Sequence, residues 1–109
     1  MKSWIRIGLI IAVALALPLA AISGGDAAKG KALFGSKCAM CHGAGGEGKP
    51  AMDKALKVEF KHLGAKDTQS KKDAELKKDL LEGTGKMKPV KLTDEEAANV
   101  IAFLRTLKQ

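Results

Sequence analysis

The chain has 109 residues, 28% of them charged, and a formal net charge of +7. That length points to one domain, and one tryptophan, three phenylalanines and no tyrosine leave little aromatic material for a core. The basic balance is not interleaved with aromatics, which argues against a nucleic-acid surface, and two cysteines with two histidines are too few at their spacing for a four-ligand zinc site.

Lys2 and Arg6 open the chain, and a 16-residue apolar run follows from Ile7 to Ile22. A basic start, a short apolar stretch and then small residues form the layout of a secretory signal peptide. Ala21 and Ser23 supply the small side chains expected before a cleavage site, so cleavage is expected before Gly24. The rival reading is an uncleaved membrane anchor, but the run is shorter than the ~20 residues of a typical span. No cysteine stands near the site, so a lipid-anchored form is not supported. Cleavage leaves residues 24–109 as an exported, periplasmic chain of 86 residues with a formal charge of +5. A domain of that size buries only about 60–68% of its unfolded surface. With only Phe34, Phe60 and Phe103 as aromatics, its core needs reinforcement from a bound group.

The segments that follow read as helices and loops. No stretch alternates with period two, so no sheet is expected and the fold class is all-α. Asp26 is a good N-cap for a helix reaching about Cys38, with Gly30, Leu33, Phe34 and Lys37 on one face. Next comes Cys38-Ala39-Met40-Cys41-His42, the one Cys-x-x-Cys of the chain, with a histidine directly after it. That string reads as a covalent c-type haem attachment site. The two thiols, Cys38 and Cys41, form the thioether links, and His42 stands where a proximal iron ligand is needed. A thioredoxin-type pair would require a βαβ context, which the Gly-rich, helical flanks lack. A plain disulfide would leave His42 unexplained.

Residues 43–48 are a glycine-rich loop. Pro50 suits the first position of a short helical turn through Leu56. Ser70 and Asp73 resemble a capping box for a helix carrying Leu76, Leu80 and Leu81 inward and ending at Gly83. Asp73 and Lys77 are spaced as an i,i+4 ion pair. Gly83 through Val90 reads as an extended loop containing Met87. A loop methionine is unremarkable alone, but beside a haem its thioether is the natural distal ligand. Its rivals are Met40, too near the attachment turn; Met52, a wall residue; and His62, which would give bis-histidine ligation or be a plain surface histidine. The last helix starts at a Thr93–Glu96 capping box with acids at the positive end of its dipole. It places Ala97, Val100, Ile101, Leu104 and Leu107 on one stripe.

Taken together, these segments resemble a small class I bacterial cytochrome c over residues 26–107. Gly30 and Phe34 are similar to that family's first-helix pattern. Residues 38–42 match its haem motif, residues 85–89 its methionine-ligand loop, and residues 92–96 and 101–104 its last helix. The resemblance implies three main helices and loops wrapped around one covalent haem c, with His42 and Met87 as axial ligands. It implies that Phe103 crosses near Gly30, and that the Pro50 carbonyl accepts from the proximal histidine. It further implies one-electron transfer without substrate turnover, in a monomeric carrier exchanging electrons with redox proteins. No enzyme activity, no nucleic acid and no membrane contact, unless the leader is retained, are expected. The alternatives are a haem enzyme or sensor with a labile sixth ligand for peroxide or a gas, and a cytochrome subunit of a larger redox complex. Lys49, Lys54, Lys86, Lys88 and Lys91 are expected around the haem crevice, where they would suit an acidic partner.

Overall fold

The computed structural model describes residues 24–109; the expected signal peptide and the rival anchor lie outside the described residues. Six helices follow in order: α1 (Ala27–Lys37), α2 (Ala39–His42), α3 (Pro50–Leu56), α4 (Lys66–Gln69), α5 (Asp73–Glu82) and α6 (Asp94–Thr106). The three long ones are those expected from the sequence. Among the described residues the only β pairing is an isolated bridge between Thr84 and Met87. No helix among them is long and apolar enough to cross a membrane.

The frame is the crossing of α1 and α6. Asp26 caps α1 by accepting from the Ala28 and Lys29 amides at 2.9 and 3.1 Å. Its own amide donates to the buried Asn99 side chain of α6 at 2.7 Å. Gly30 lies so close to α6 that a Cβ there would sit 1.8 Å from the Asn99 carbonyl oxygen and 3.0 Å from the Phe103 Cβ. The missing side chain is what lets the two backbones meet. One turn on, the Phe34 and Phe103 rings pack with centroids 5.1 Å apart. Phe34, Ala97, Val100, Ile101, Phe103 and Leu104 are all buried here, joined by Leu76 and Leu80 from α5.

The Thr93 cap forms as expected. Its hydroxyl accepts from the Glu96 amide at 3.1 Å, and the Glu96 carboxylate accepts from the Thr93 amide at 3.0 Å. The Ser70–Asp73 capping box does not form. Ser70 instead ends α4, a short helix the sequence pattern did not announce, and Lys72 precedes α5 without a side-chain cap. The Asp73–Lys77 pair is also replaced. Asp73 bonds to Arg105 at 2.7 Å, and Lys77 approaches Asp94 at 3.2 Å. Arg105 additionally donates to the Gln69 and Lys71 carbonyls at 3.0 and 2.6 Å. A long-range guanidinium fork thus holds the α4–α5 corner, drawing Asp73 away from its helical neighbour.

Candidate haem site

Beside the α1–α6 frame lies a cavity of about 1000 Å³, walled by all six helices and the loops between them. Cys38, Cys41, His42 and Met87 all line it, with Phe34, Leu76, Leu80, Val100 and Leu104 as apolar floor. The sequence therefore brings its four candidate residues to one place, from two segments 45 residues apart.

The attachment turn is local in origin. α1 ends at Lys37, and Cys38 bridges to the four-residue α2. The Cys41 and His42 amides donate to the Cys38 carbonyl at 3.2 and 3.0 Å, winding the turn so that both thiols and the imidazole border the same hollow. Both thiols are free; Cys38 is buried and Cys41 half-buried. Burial pushes the Cys38 thiol above its ordinary pKa, against the pull of Lys37. Burial likewise holds the His42 imidazole below its ordinary pKa, which keeps it in the neutral form an iron ligand requires. Met40, between the cysteines, points away and is 74% exposed.

Met87 is fixed by its backbone. Its amide donates to the Thr84 carbonyl at 2.9 Å and its carbonyl accepts from the Thr84 amide at 3.1 Å. Gly83 makes this turn possible: its φ is +79°, and a Cβ there would lie 2.6 Å from the Met87 carbonyl oxygen. Lys86 reaches across to α3, donating to the Leu56 carbonyl at 2.8 Å. Met52 lines the cavity from α3, as a wall residue. His62 is not part of the cavity wall, and its Nδ1 accepts from the Gly64 amide at 2.8 Å.

One expected contact is not made. His42 Nδ1 is buried and has no hydrogen-bond partner among the described residues, so the Pro50 carbonyl does not receive it. Pro50 does start the short helix α3 through Leu56, as expected, and the ring that meets His42 is Phe60, with centroids 5.2 Å apart and planes at 87°. Phe60 was missed as a site residue because residues 57–65 carry no periodic pattern. Its rarity, as one of three phenylalanines, was the only signal.

The lysine border also differs from expectation. Lys86, Lys88 and Lys91 line the cavity, joined by Lys37, Lys61 and Lys71, whereas Lys49 and Lys54 do not. Lys61 pairs with Asp67 at 2.6 Å and Lys71 with Asp79 at 2.8 Å. The uncompensated positive edge is therefore concentrated on residues 86–91 and Lys37.

The residues present fit a haem. A hollow of about 1000 Å³ is at the upper end of ordinary ligand pockets and has room for a large flat group. Its donors are two thiols, a neutral imidazole and a thioether. The cytochrome c family profile matches residues 27–108. The chain belongs to the cytochrome c family. Among solved structures this cytochrome is similar to the KustC0563 c-type cytochrome, at 25% identity and a TM-score of 0.61, covering 73% of this chain and 98% of that one. It is also similar in fold to a chain of the sulfane dehydrogenase SoxCD from Paracoccus pantotrophus, at 22% identity and a TM-score of 0.53, covering 76% of this chain and 43% of that one. Comparison with curated protein sequences returns no significant match. The family sets the chemistry as haem-based electron transfer.

Proposed function

We propose that this cytochrome is a periplasmic one-electron carrier holding one haem c, attached through Cys38 and Cys41 and ligated by His42 and Met87. The observation that carries the reading is the single cavity gathering these four side chains among apolar walls. When bound, haem with His/Met ligation supplies a one-electron iron couple biased toward the reduced state.

The chain's own part is to hold ligands still and keep water out. The α2 turn fixes Cys38, Cys41 and His42 relative to one another. Gly83, Thr84 and the Lys86 strap hold Met87 at the cavity, and Phe34, Leu76, Leu80, Val100 and Leu104 supply a dry floor. His42 and Met87 would both hold the iron of a bound haem, which would leave it no open position for a substrate. The positive edge at Lys88 and Lys91 suits an acidic redox partner. Such steering acts mainly on association rate and is screened over ~8–10 Å at moderate salt.

The deciding experiment is the visible spectrum of the purified protein in both oxidation states, before and after acid-acetone extraction and carbon monoxide. Haem that stays with the polypeptide, a weak far-red sulfur-to-ferric-iron band, and a reduced spectrum indifferent to carbon monoxide support the reading. Extractable haem overturns the attachment, and a carbon monoxide-shifted spectrum makes the protein a ligand-binding haem enzyme or sensor.

A further inference from the structure

From Gly24 onward the chain has three methionines, and they stand in three different surroundings. Met87 packs against the core and lines the cavity. Met52 lines the cavity from α3. Met40 does neither; at 74% exposure it is the most exposed large apolar side chain among the described residues. Its course is set by backbone. The attachment turn is wound by the Cys41 and His42 amides on the Cys38 carbonyl, and by the Gly43 amide on the Ala39 carbonyl at 2.9 Å. Cys38, Cys41 and His42 border the cavity, so the side chain between the cysteines is sent the other way. A haem held on the cavity side leaves it uncovered. Its neighbours along the chain leave it open too. Gly35, Ser36, Lys37 and Ala44 are all exposed, and a Cβ at Gly35 would meet no atom within 4 Å.

We propose that Met40 is a reversible oxidation site, which takes the first equivalent of a two-electron oxygen donor and so spares Met87. Oxidation of a thioether gives a sulfoxide, turning a flexible apolar side chain into a polar one. With hypochlorous acid, an oxygen–sulfur bond forms and the oxygen–chlorine bond breaks. Sulfur loses two electrons, chlorine gains them and leaves as chloride, and the proton passes to water. With hydrogen peroxide the oxygen–oxygen bond breaks, and the second oxygen leaves as water. At Met40 the added oxygen meets solvent and disturbs no packed contact. At Met52 it would stand on the cavity wall, and at Met87 on the thioether assigned to the iron. Exposure of the turn also leaves the sulfoxide within reach of methionine sulfoxide reductases, which restore the thioether. The oxidation site needs no haem; only the value of sparing Met87 rests on the proposed function.

The test treats ferric wild-type holoprotein and Met40→Leu with one molar equivalent of hypochlorite at neutral pH. Peptide mass mapping then locates the added oxygen, and the far-red band reports the state of Met87. In wild type most of the oxygen should be on Met40, with little on Met52 or Met87, and the band should persist. In Met40→Leu the same dose should raise oxidation of Met87 severalfold and remove a corresponding share of the band. Met40→Gln places a polar group of similar length on the turn. It should bind haem and unfold at the wild-type midpoint, as a harmless sulfoxide requires. Reductases of both epimer specificities should return oxidised wild type to its original mass. Oxygen on Met52 or Met87 ahead of Met40 in wild type would overturn the site. Equal Met87 oxidation with and without Met40 would overturn the sparing, and a sulfoxide that the reductases leave in place would overturn the reversibility. A wild-type protein that never shows the far-red band fails the His/Met reading, whereas the distribution of oxygen over the three methionines still decides the role of Met40.

Discussion

The α1–α6 crossing and the wall of the haem cavity are built by opposite means. The crossing uses two long, capped helices whose buried faces interlock at Gly30, Asn99, Phe34 and Phe103. The wall uses short helices of four and seven residues, α2 and α3, and loops held by single backbone bonds such as Gly46 to Leu63 and Leu80 to Val90. Its apolar side chains face a hollow of about 1000 Å³ instead of one another. The crossing carries its own packing energy; the wall depends on the occupant. The part of the molecule built from interlocking long helices is thus the part that carries no candidate ligand but Cys38 at its end, and the other side chains with chemistry stand on short helices and loops around the cavity.

Removing the occupant gives the largest expected effect. Cys38→Ser or Cys41→Ser should reduce holoprotein yield to a small fraction, with far-UV circular dichroism of the remainder keeping signal for the α1–α6 pair better than for the rest. A fully native apoprotein, by hydrogen exchange at residues 43–63 and 83–91, would erase the distinction between the two regions.

The crossing itself is tested next. Phe34→Ala should cost about 3–5 kcal/mol in denaturant unfolding. Gly30→Ala should cost about 3 kcal/mol, the upper end for overpacking, because the added carbon meets backbone on α6. A cost near zero for Gly30→Ala would mean the helices can part freely.

Met87→Ala sharpens the comparison from the other side. The global fold should survive, since the Thr84–Met87 bridge is made by backbone. The far-red band should vanish and the potential should fall, because a ligand favouring ferrous iron is lost. If His62→Ala removes the band and Met87→Ala does not, the ligand assignment fails.

A functional effect of the wall's charge should follow. Electron exchange with an acidic partner should slow as salt rises, and charge reversal at Lys88 and Lys91 should slow it further without moving the spectrum. Lys86 is less suited to this test because its ammonium caps α3 at Leu56. A rate flat in salt would point to apolar docking.

The smallest effect lies at the start of α6. Thr93→Ala should cost about 1 kcal/mol. Hydrogen bonds from the Thr93 backbone and side chain hold the Glu96 carboxyl below its ordinary pKa. Its stabilising contribution is therefore complete above the unfolded-state value and is lost as pH falls through the depressed one. Acid titration of stability in wild type against Glu96→Gln should show a wild-type advantage at neutral pH that disappears on the acid side.

The legible parts of the sequence were those in which a local rule acts alone. Asp26 and Thr93 start helices because their side chains reach amides two or three residues on. The Cys38–His42 string fixes its own turn. Ser70 was misread for the same reason in reverse: a side chain suited to capping lost to Arg105, which arrives from 35 residues away and takes the Asp73 carboxylate. Pro50 was assigned to His42 by resemblance, yet residues 57–65 fold back and place Phe60 there instead.

By itself the sequence determined the three main helices, the haem-attachment motif and the glycine that lets α1 meet α6, because each depends on neighbours within a few positions or on the size of one side chain. The tertiary structure decided what surrounds His42, where Asp73 finds its cation and which lysines border the cavity. Those outcomes depend on which distant segments pack together, and spacing along the chain carries no record of distances across it.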